Sequence, residues 1–207
     1  METMLKLNLG CGDKTPQGWI NVDYALGAKL AKLPLFPSLN KKIGLFNLKW
    51  SADIYIHDLT TKLPWNDGQA TYIYSSHTLE HMTKEDGLFF LRECYRVLGY
   101  KGVIRIIVPD LKNIVEDYLH GNIRADFFLD RLGVLYGHKS RLKQRLAPFI
   151  QSPHKCMYDR ETLLTAMREI GFRCEVEKAF SSRIQGIEKV EVEDRTKNAV
   201  IVEGEKR

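Results

Sequence analysis

The stretch at residues 5–12, LKLNLGCG, constrains the fold more than any other part of the chain. Apolar and polar residues alternate from Leu5 to Leu9, the period of a β-strand, and the run empties directly into Gly-Cys-Gly. Glycine has no Cβ and tolerates positive φ, so a strand ending this way can turn sharply and bring its backbone against a ligand. Three more short runs end on small or polar residues: 19–22 at Asp23, 53–57 at Asp58, and 70–74 at Ser75-Ser76. Strands separated by helices or loops argue for a mostly parallel sheet covered on both faces, with the carboxyl ends of its strands lining one crevice. Taken alone, the glycine triplet fits a plain turn equally well. It lacks both the third glycine of a dinucleotide fingerprint and the GK[ST] of a phosphate loop.

Farther along, the apolar positions of residues 83–98 recur at helical spacing, with Glu85 and Asp86 early and Arg92 and Arg96 late, the polarity a helix dipole favours. Gly99 and Gly102 interrupt that pattern, and VIRIIV at 103–108 reads as a central strand stopped by Pro109-Asp110. A second apolar stripe spans 111–136, followed by an irregular basic stretch at 137–153 that resembles an insertion over one end of the sheet. Asp159 suits the N-cap of a helix over 160–170, Gly171 its end, and 172–179 the next strand. The last strand is expected at 199–202. Residues 180–198 are expected to form a solvated excursion, and the tail from Glu203 is expected to fray.

The 207 residues are 44% hydrophobic and 28% charged, the balance of an ordinary globular protein, and the length favours one domain. A net charge of +5 is too small to mark a nucleic-acid binder by itself. No apolar run approaches the roughly 20 residues needed to span a bilayer, and no leader pattern opens the chain, so a cytoplasmic location is expected. Cys11, Cys94, Cys156 and Cys174 are widely scattered with no CxxC, which suggests free thiols.

Three stretches together resemble a known family. They are LNLGCG at 7–12, DLTTKLPW at 58–65 followed by ATYIYSSHTLEHM at 70–82, and RVLGYKGVIRIIVPD at 96–110. They are similar to class I methyltransferases that use S-adenosylmethionine, and the resemblance covers about residues 5–115. SPHKCMYDRETLLTAMREIGF at 152–172 further resembles small bacterial members associated with glycan or sugar modification. The resemblance implies an α/β, Rossmann-like, seven-stranded sheet, mostly parallel with an antiparallel last strand and helices on both faces. It implies one domain over 1–207, with 111–158 as an acceptor-side insertion or lid. S-adenosylmethionine would be the cofactor and S-adenosylhomocysteine the product. Asn8, Leu9, Gly10, Cys11 and Gly12 would surround the methionine part, Asp23 the ribose hydroxyls, and Asp58 with Leu59 the adenine. Ser75 and Ser76 would complete the cofactor contacts, with Ser75 and His77 beside the sulfonium and the acceptor. Two departures stand out. Asn8 occupies a position where the family often has an acidic residue, and Asp23 follows Gly12 by only 11 residues, too few for a full helix between the first two strands.

Methyl transfer to a hydroxyl or amine calls for a base with a pKa near neutrality, which suits histidine. His77 follows the fourth strand at the mouth of the expected crevice. His154 and Tyr158 precede the late helix and would close over the acceptor, with Asp110 orienting substrate or histidine. HTLEH at 77–81 differs from the HExxH zinc motif because its glutamate directly precedes the second histidine. With no third ligand identifiable in sequence, no metal is expected. GHKSRLKQR at 137–145 holds four basic residues and no carboxylate. It reads as a solvated face or as a landing site for an anionic small-molecule or glycan acceptor, with nucleic acid less favoured. Two alternatives remain at this level: an NAD(P)-dependent or sugar-nucleotide enzyme, and a methyltransferase-like accessory subunit without turnover.

Overall fold

VIRIIV is apolar at almost every position because the strand that contains it is covered on both faces. In the computed structural model, which describes residues 5–36, 42, 50–135 and 152–207, that strand is β5, Leu98–Pro109. It lies inside a seven-stranded sheet with β1 (Leu5–Leu9), β2 (Ile20–Asp23), β3 (Tyr55–Ile56), β4 (Ala70–Ser76), β6 (Phe172–Val176) and β7 (Ala199–Lys206). The spatial order is β3-β2-β1-β4-β5-β7-β6, parallel from β3 through β5, with β7 antiparallel to both β5 and β6. This is a Rossmann-like sheet, mostly parallel with one antiparallel strand, as expected. The strand order reverses between β1 and β4, so their carboxyl ends flank a crevice.

Alternation along β5 divides the core in two. Ile104, Ile106 and Val108 join the larger cluster with Phe90, Leu91, Leu163 and Met167. These partners come from α2 (Lys84–Val97) and α5 (Arg160–Ile170), which cover one face of the sheet. Val103 and Ile107 point the other way, towards Ile184, Ile187 and Val190. The stretch expected to be a solvated excursion therefore covers the second face, through a 3-10 turn at Ile187–Lys189 and the short helix α6, Glu193–Thr196. The tail does not fray, because β7 continues to Lys206 and Glu203 is fully buried. The reason is Arg105, which shares that second face in mid-β5 and holds both Glu191 and Glu203.

Helix ends follow their capping residues. The Thr83 hydroxyl accepts the Asp86 N–H at the start of α2, and the Asp159 carboxylate accepts the Thr162 N–H at the start of α5. Gly171 closes α5 in the left-handed region, with φ of 118°. The 111–136 stripe resolves into α3 (Leu111–Leu119) and α4 (Ala125–Leu132) among its described residues. Helix α1 (Leu26–Ala31) follows β2, and turns without a helix join β1 to β2. The basic run at 137–145 lies outside the described residues.

Candidate functional site

At the end of β1 the N–H groups of Gly10 and Cys11 donate to the Val22 carbonyl at 2.9 and 3.0 Å, fixing the glycine turn to β2. Gly10 has φ of 76°, and a Cβ there would lie 1.9 Å from Thr78 Oγ1, so glycine is required both by conformation and by the approach of the β4 turn. Gly12 N–H donates to Asp23 Oδ2 at 2.9 Å, and Ala25 N–H donates to Oδ1 at 2.8 Å. A carboxylate offers about four acceptor positions, so Asp23 keeps capacity for further donors. In the loop after β3, Asp58 Oδ1 accepts the Thr60 N–H and hydroxyl at 3.0 and 2.7 Å. Gly10, Gly12, Asp23, Asp58, Leu59 and Thr78 all line one cavity of about 440 Å³, together with His77, His81, Met82 and Arg195.

Several expected site residues lie elsewhere. Asn8 is buried and its amide donates to the Lys14 carbonyl at 3.0 Å and to Asn21 at 2.9 Å, so it braces the β1–β2 connection and does not line the cavity. Leu9 faces the main core. Cys11 packs with Ala28 and Ile54, and burial, aided by the charge of Asp23, pushes its thiol up to about 12. Ser75 and Ser76 are buried in β4 and do not line the cavity. Asp110 is the N-cap of α3, accepting the Lys112 N–H at 3.0 Å. Tyr158 is nine-tenths or more buried and borders a separate cavity of about 490 Å³ between α2 and α5 that shares no lining residue with the first; burial raises its phenol pKa. Neither Asp110 nor Tyr158 lines the cavity at the glycine turn.

His77 does reach the cavity, in the left-handed region with φ of 53° and its N–H held by the Ile107 carbonyl. Its Nε2–H donates to the Arg195 carbonyl at 2.9 Å, and Nδ1 lies 3.3 Å from Glu80 Oε1. Burial opposes charge on this ring, but Glu80 and the Arg195 carbonyl outweigh it and raise the pKa above the usual imidazole range. Both ring nitrogens are thus engaged, and these contacts fix the His77 ring at the edge of the cavity.

His154 sits behind His81, with ring centroids 4.9 Å apart. It arrives there because Lys155 and Cys156 N–H groups donate to the Glu80 carbonyl at 2.8 and 3.1 Å, stitching the segment before α5 to the turn after β4. Its Nδ1–H donates to the Leu132 carbonyl at 2.7 Å, and Nε2 lies 3.9 Å from Glu80 Oε1. Burial holds its pKa below the ordinary value.

Sequence reasoning missed Arg195, Thr78 and Glu80. Glu80 was visible within HTLEH. Arg195 carried no local signal, because it meets the site across 118 residues of chain from His77. Its guanidinium stands 3.1 Å from where a Cβ on Gly12 would be, and among the described residues it has no carboxylate partner.

Residues 7–106 match a family described as "Methyltransferase domain". No curated protein matches the chain. Among solved structures, the YcgJ protein of Bacillus subtilis shares 13% identity at a TM-score of 0.54, over 100% of this chain and 93% of that one. A SAM-dependent methyltransferase of Methanosarcina mazei shares 14% at 0.53, again over 100% and 93%. PigF with SAH shares 14% at 0.50 over 99% of this chain, which spans only 56% of PigF. These likenesses establish the shared fold.

Proposed function

We propose that this chain, whose residues 7–106 match a methyltransferase-domain family, binds S-adenosylmethionine in the 440 Å³ cavity and methylates an oxygen or nitrogen of a small-molecule or glycan-linked acceptor, leaving S-adenosylhomocysteine. One observation carries the reading: a glycine turn, Asp23 and Asp58 meet in one cavity at the point where the strand order reverses. The volume falls within the roughly 300–1,000 Å³ common for small-molecule sites.

The residues present fit the cofactor. Asp23 retains acceptor positions for ribose hydroxyls, and Asp58, with only Oδ1 engaged by Thr60, retains them for an adenine amino group. Arg195, beside Gly12, would supply the cation for the methionine carboxylate. The cofactor contributes an electrophilic methyl group. The chain's part is to hold the acceptor in line and exclude water, and positioning of this kind is worth roughly 7–11 kcal/mol in favourable cases. Residues 111–158 form the acceptor side in this reading, through α3, α4 and the segment carrying His154. The free cysteines agree with a reducing compartment, and we place the protein in the cytoplasm.

Calorimetry with S-adenosylmethionine, S-adenosylhomocysteine and NAD(P) tests the reading. Both adenosyl compounds should bind and NAD(P) should not. Asp58→Ala and Asp23→Asn should each weaken cofactor binding about tenfold, the effect of about 1.4 kcal/mol. Failure of wild-type protein to bind either adenosyl compound would refute the assignment. Binding without transfer across a broad acceptor panel would favour the accessory-subunit alternative.

A further inference from the structure

HTLEH lacks a third ligand in sequence, but the fold supplies one. Glu80, His81 and His154 bring one possible ligand atom each to within 4.8 Å of one another. Glu80 is fully buried, and both carboxylate oxygens lack a hydrogen-bond partner among the described residues. A buried carboxylate whose oxygens lack hydrogen-bond donors is costly. The His77 ring, 3.3 Å from Oε1, faces only that oxygen, and Oε2 has no donor among the described residues.

The two histidines are oriented by backbone carbonyls. His154 Nδ1 lies 2.7 Å from the Leu132 carbonyl, and His81 Nδ1 lies 3.4 Å from the Pro153 carbonyl. A carbonyl can only accept, so each Nδ1 carries the proton and each Nε2 keeps its lone pair in the neutral ring. This is the outer arrangement that fixes metal-binding imidazoles. Gly133 makes room for one of them: a Cβ there would lie 2.6 Å from His154 ring atoms.

We propose that Glu80, His81 and His154 form a site for one divalent first-row transition cation of the zinc type. Two imidazoles and one carboxylate suit such a cation better than calcium or magnesium, which favour oxygen ligands. Zinc ligands at about 2.0–2.2 Å in a tetrahedron lie about 3.3 Å apart, so the present donor set needs only modest side-chain closure. Three protein ligands leave a coordination position open. Because His81 also lines the 440 Å³ cavity, a cation held by it would border the space where an oxygen-bearing acceptor would enter. This last link to an acceptor rests on the methyl-transfer reading; cation binding itself does not.

Full-length protein stripped with chelator is titrated with Zn²⁺ by calorimetry and with Co²⁺ by visible absorbance, in the absence of any adenosyl compound. One cation per chain should bind at micromolar or tighter dissociation constant and raise the melting temperature. Glu80→Gln, which removes a buried charge with little change of shape, should fold and weaken Zn²⁺ binding by at least about tenfold, as should His154→Ala. Gly133→Ala keeps all three ligands but crowds His154, and should also weaken binding. Absence of 1:1 binding at 100 µM Zn²⁺, on the order of a hundred times the expected constant, would overturn the site. So would affinity that survives both Glu80→Gln and His154→Ala. S-adenosylhomocysteine is titrated separately into the same samples, so loss of the cation site and loss of the cofactor site are read independently.

Discussion

Arg105→Leu should be the most damaging single substitution outside the cavity. Arg105 is fully buried in the middle of β5 and all five of its N–H donors are used. Two bonds reach Glu191 at 2.6 and 3.1 Å, one reaches Glu203 at 3.0 Å, and two reach the carbonyls of Ser181 and Lys178, each at 2.8 Å. Leucine would leave two buried carboxylates on one face without their common cation. Removing one partner of a buried ion pair costs about 3–5 kcal/mol, a large part of the roughly 5–15 kcal/mol that stabilises a domain. At about 2–4 °C per kcal/mol for a chain of this size, the melting temperature should fall by about 6–20 °C. Glu203 retains Arg183 at 3.4 Å, so Glu191 is the more exposed of the two to the loss. Arg105→Leu combined with Glu191→Leu should therefore recover part of the stability, giving a non-additive double-mutant cycle. The same contacts hold the 178–191 segment that leads to Arg195, so the single variant should also bind S-adenosylhomocysteine more weakly. Urea unfolding of the four proteins is the assay. A single-variant loss below about 1 kcal/mol, or strictly additive effects, would refute the claim that this cluster ties the second face of the sheet together.

Other consequences are smaller in reach. Gly10→Ala combines positive φ with overlap on Thr78 and should cost about 1–3 kcal/mol, measured by denaturant unfolding, with cofactor affinity falling too. Asp159→Ala should cost about 1 kcal/mol as a lost N-cap. The Thr162 hydroxyl and N–H lower the Asp159 pKa, so the ionised form is the stabilising one. Its contribution should be complete above the unfolded pKa and vanish as pH falls through the folded one, and wild type and variant should converge in stability at low pH. Arg195→Met should weaken binding of S-adenosylhomocysteine, which carries the carboxylate, far more than binding of adenosine, which lacks it, by calorimetry. Iodoacetamide on the native protein, followed by mass spectrometry, should label Cys156 before Cys11, Cys94 and Cys174, which are buried and whose thiol pKa values burial raises.

Legibility in the sequence tracked the range of the interaction. Leu5–Leu9 running into Gly10, Asp159 before Arg160–Ile170, and Gly171 after it are local signals, and each holds in the fold. Strand ends at Asp23 and Asp58 likewise placed two carboxylates at one cavity, because parallel strands must present their carboxyl ends together. Asn8 is a residue type compatible with both a ligand contact and a brace, and its bracing bonds to Lys14 and Asn21 came into view only with the fold. Asp110 likewise is a strand end that is also a helix start.

By itself the sequence determined the alternation of strands and helices, the glycine turn and the caps, all set by backbone conformation and hydrophobic period within a few residues. Only the tertiary structure decided which polar groups are buried together. Glu203 reads as a charged tail residue until β7 lays it beside Arg105, 98 residues away, and His154 reads as a loop residue until two backbone hydrogen bonds to Glu80 carry it behind His81. The physical reason is that burial turns a solvated charge into one that must be paired, and burial is a property of the packed sheet and not of any short stretch of chain.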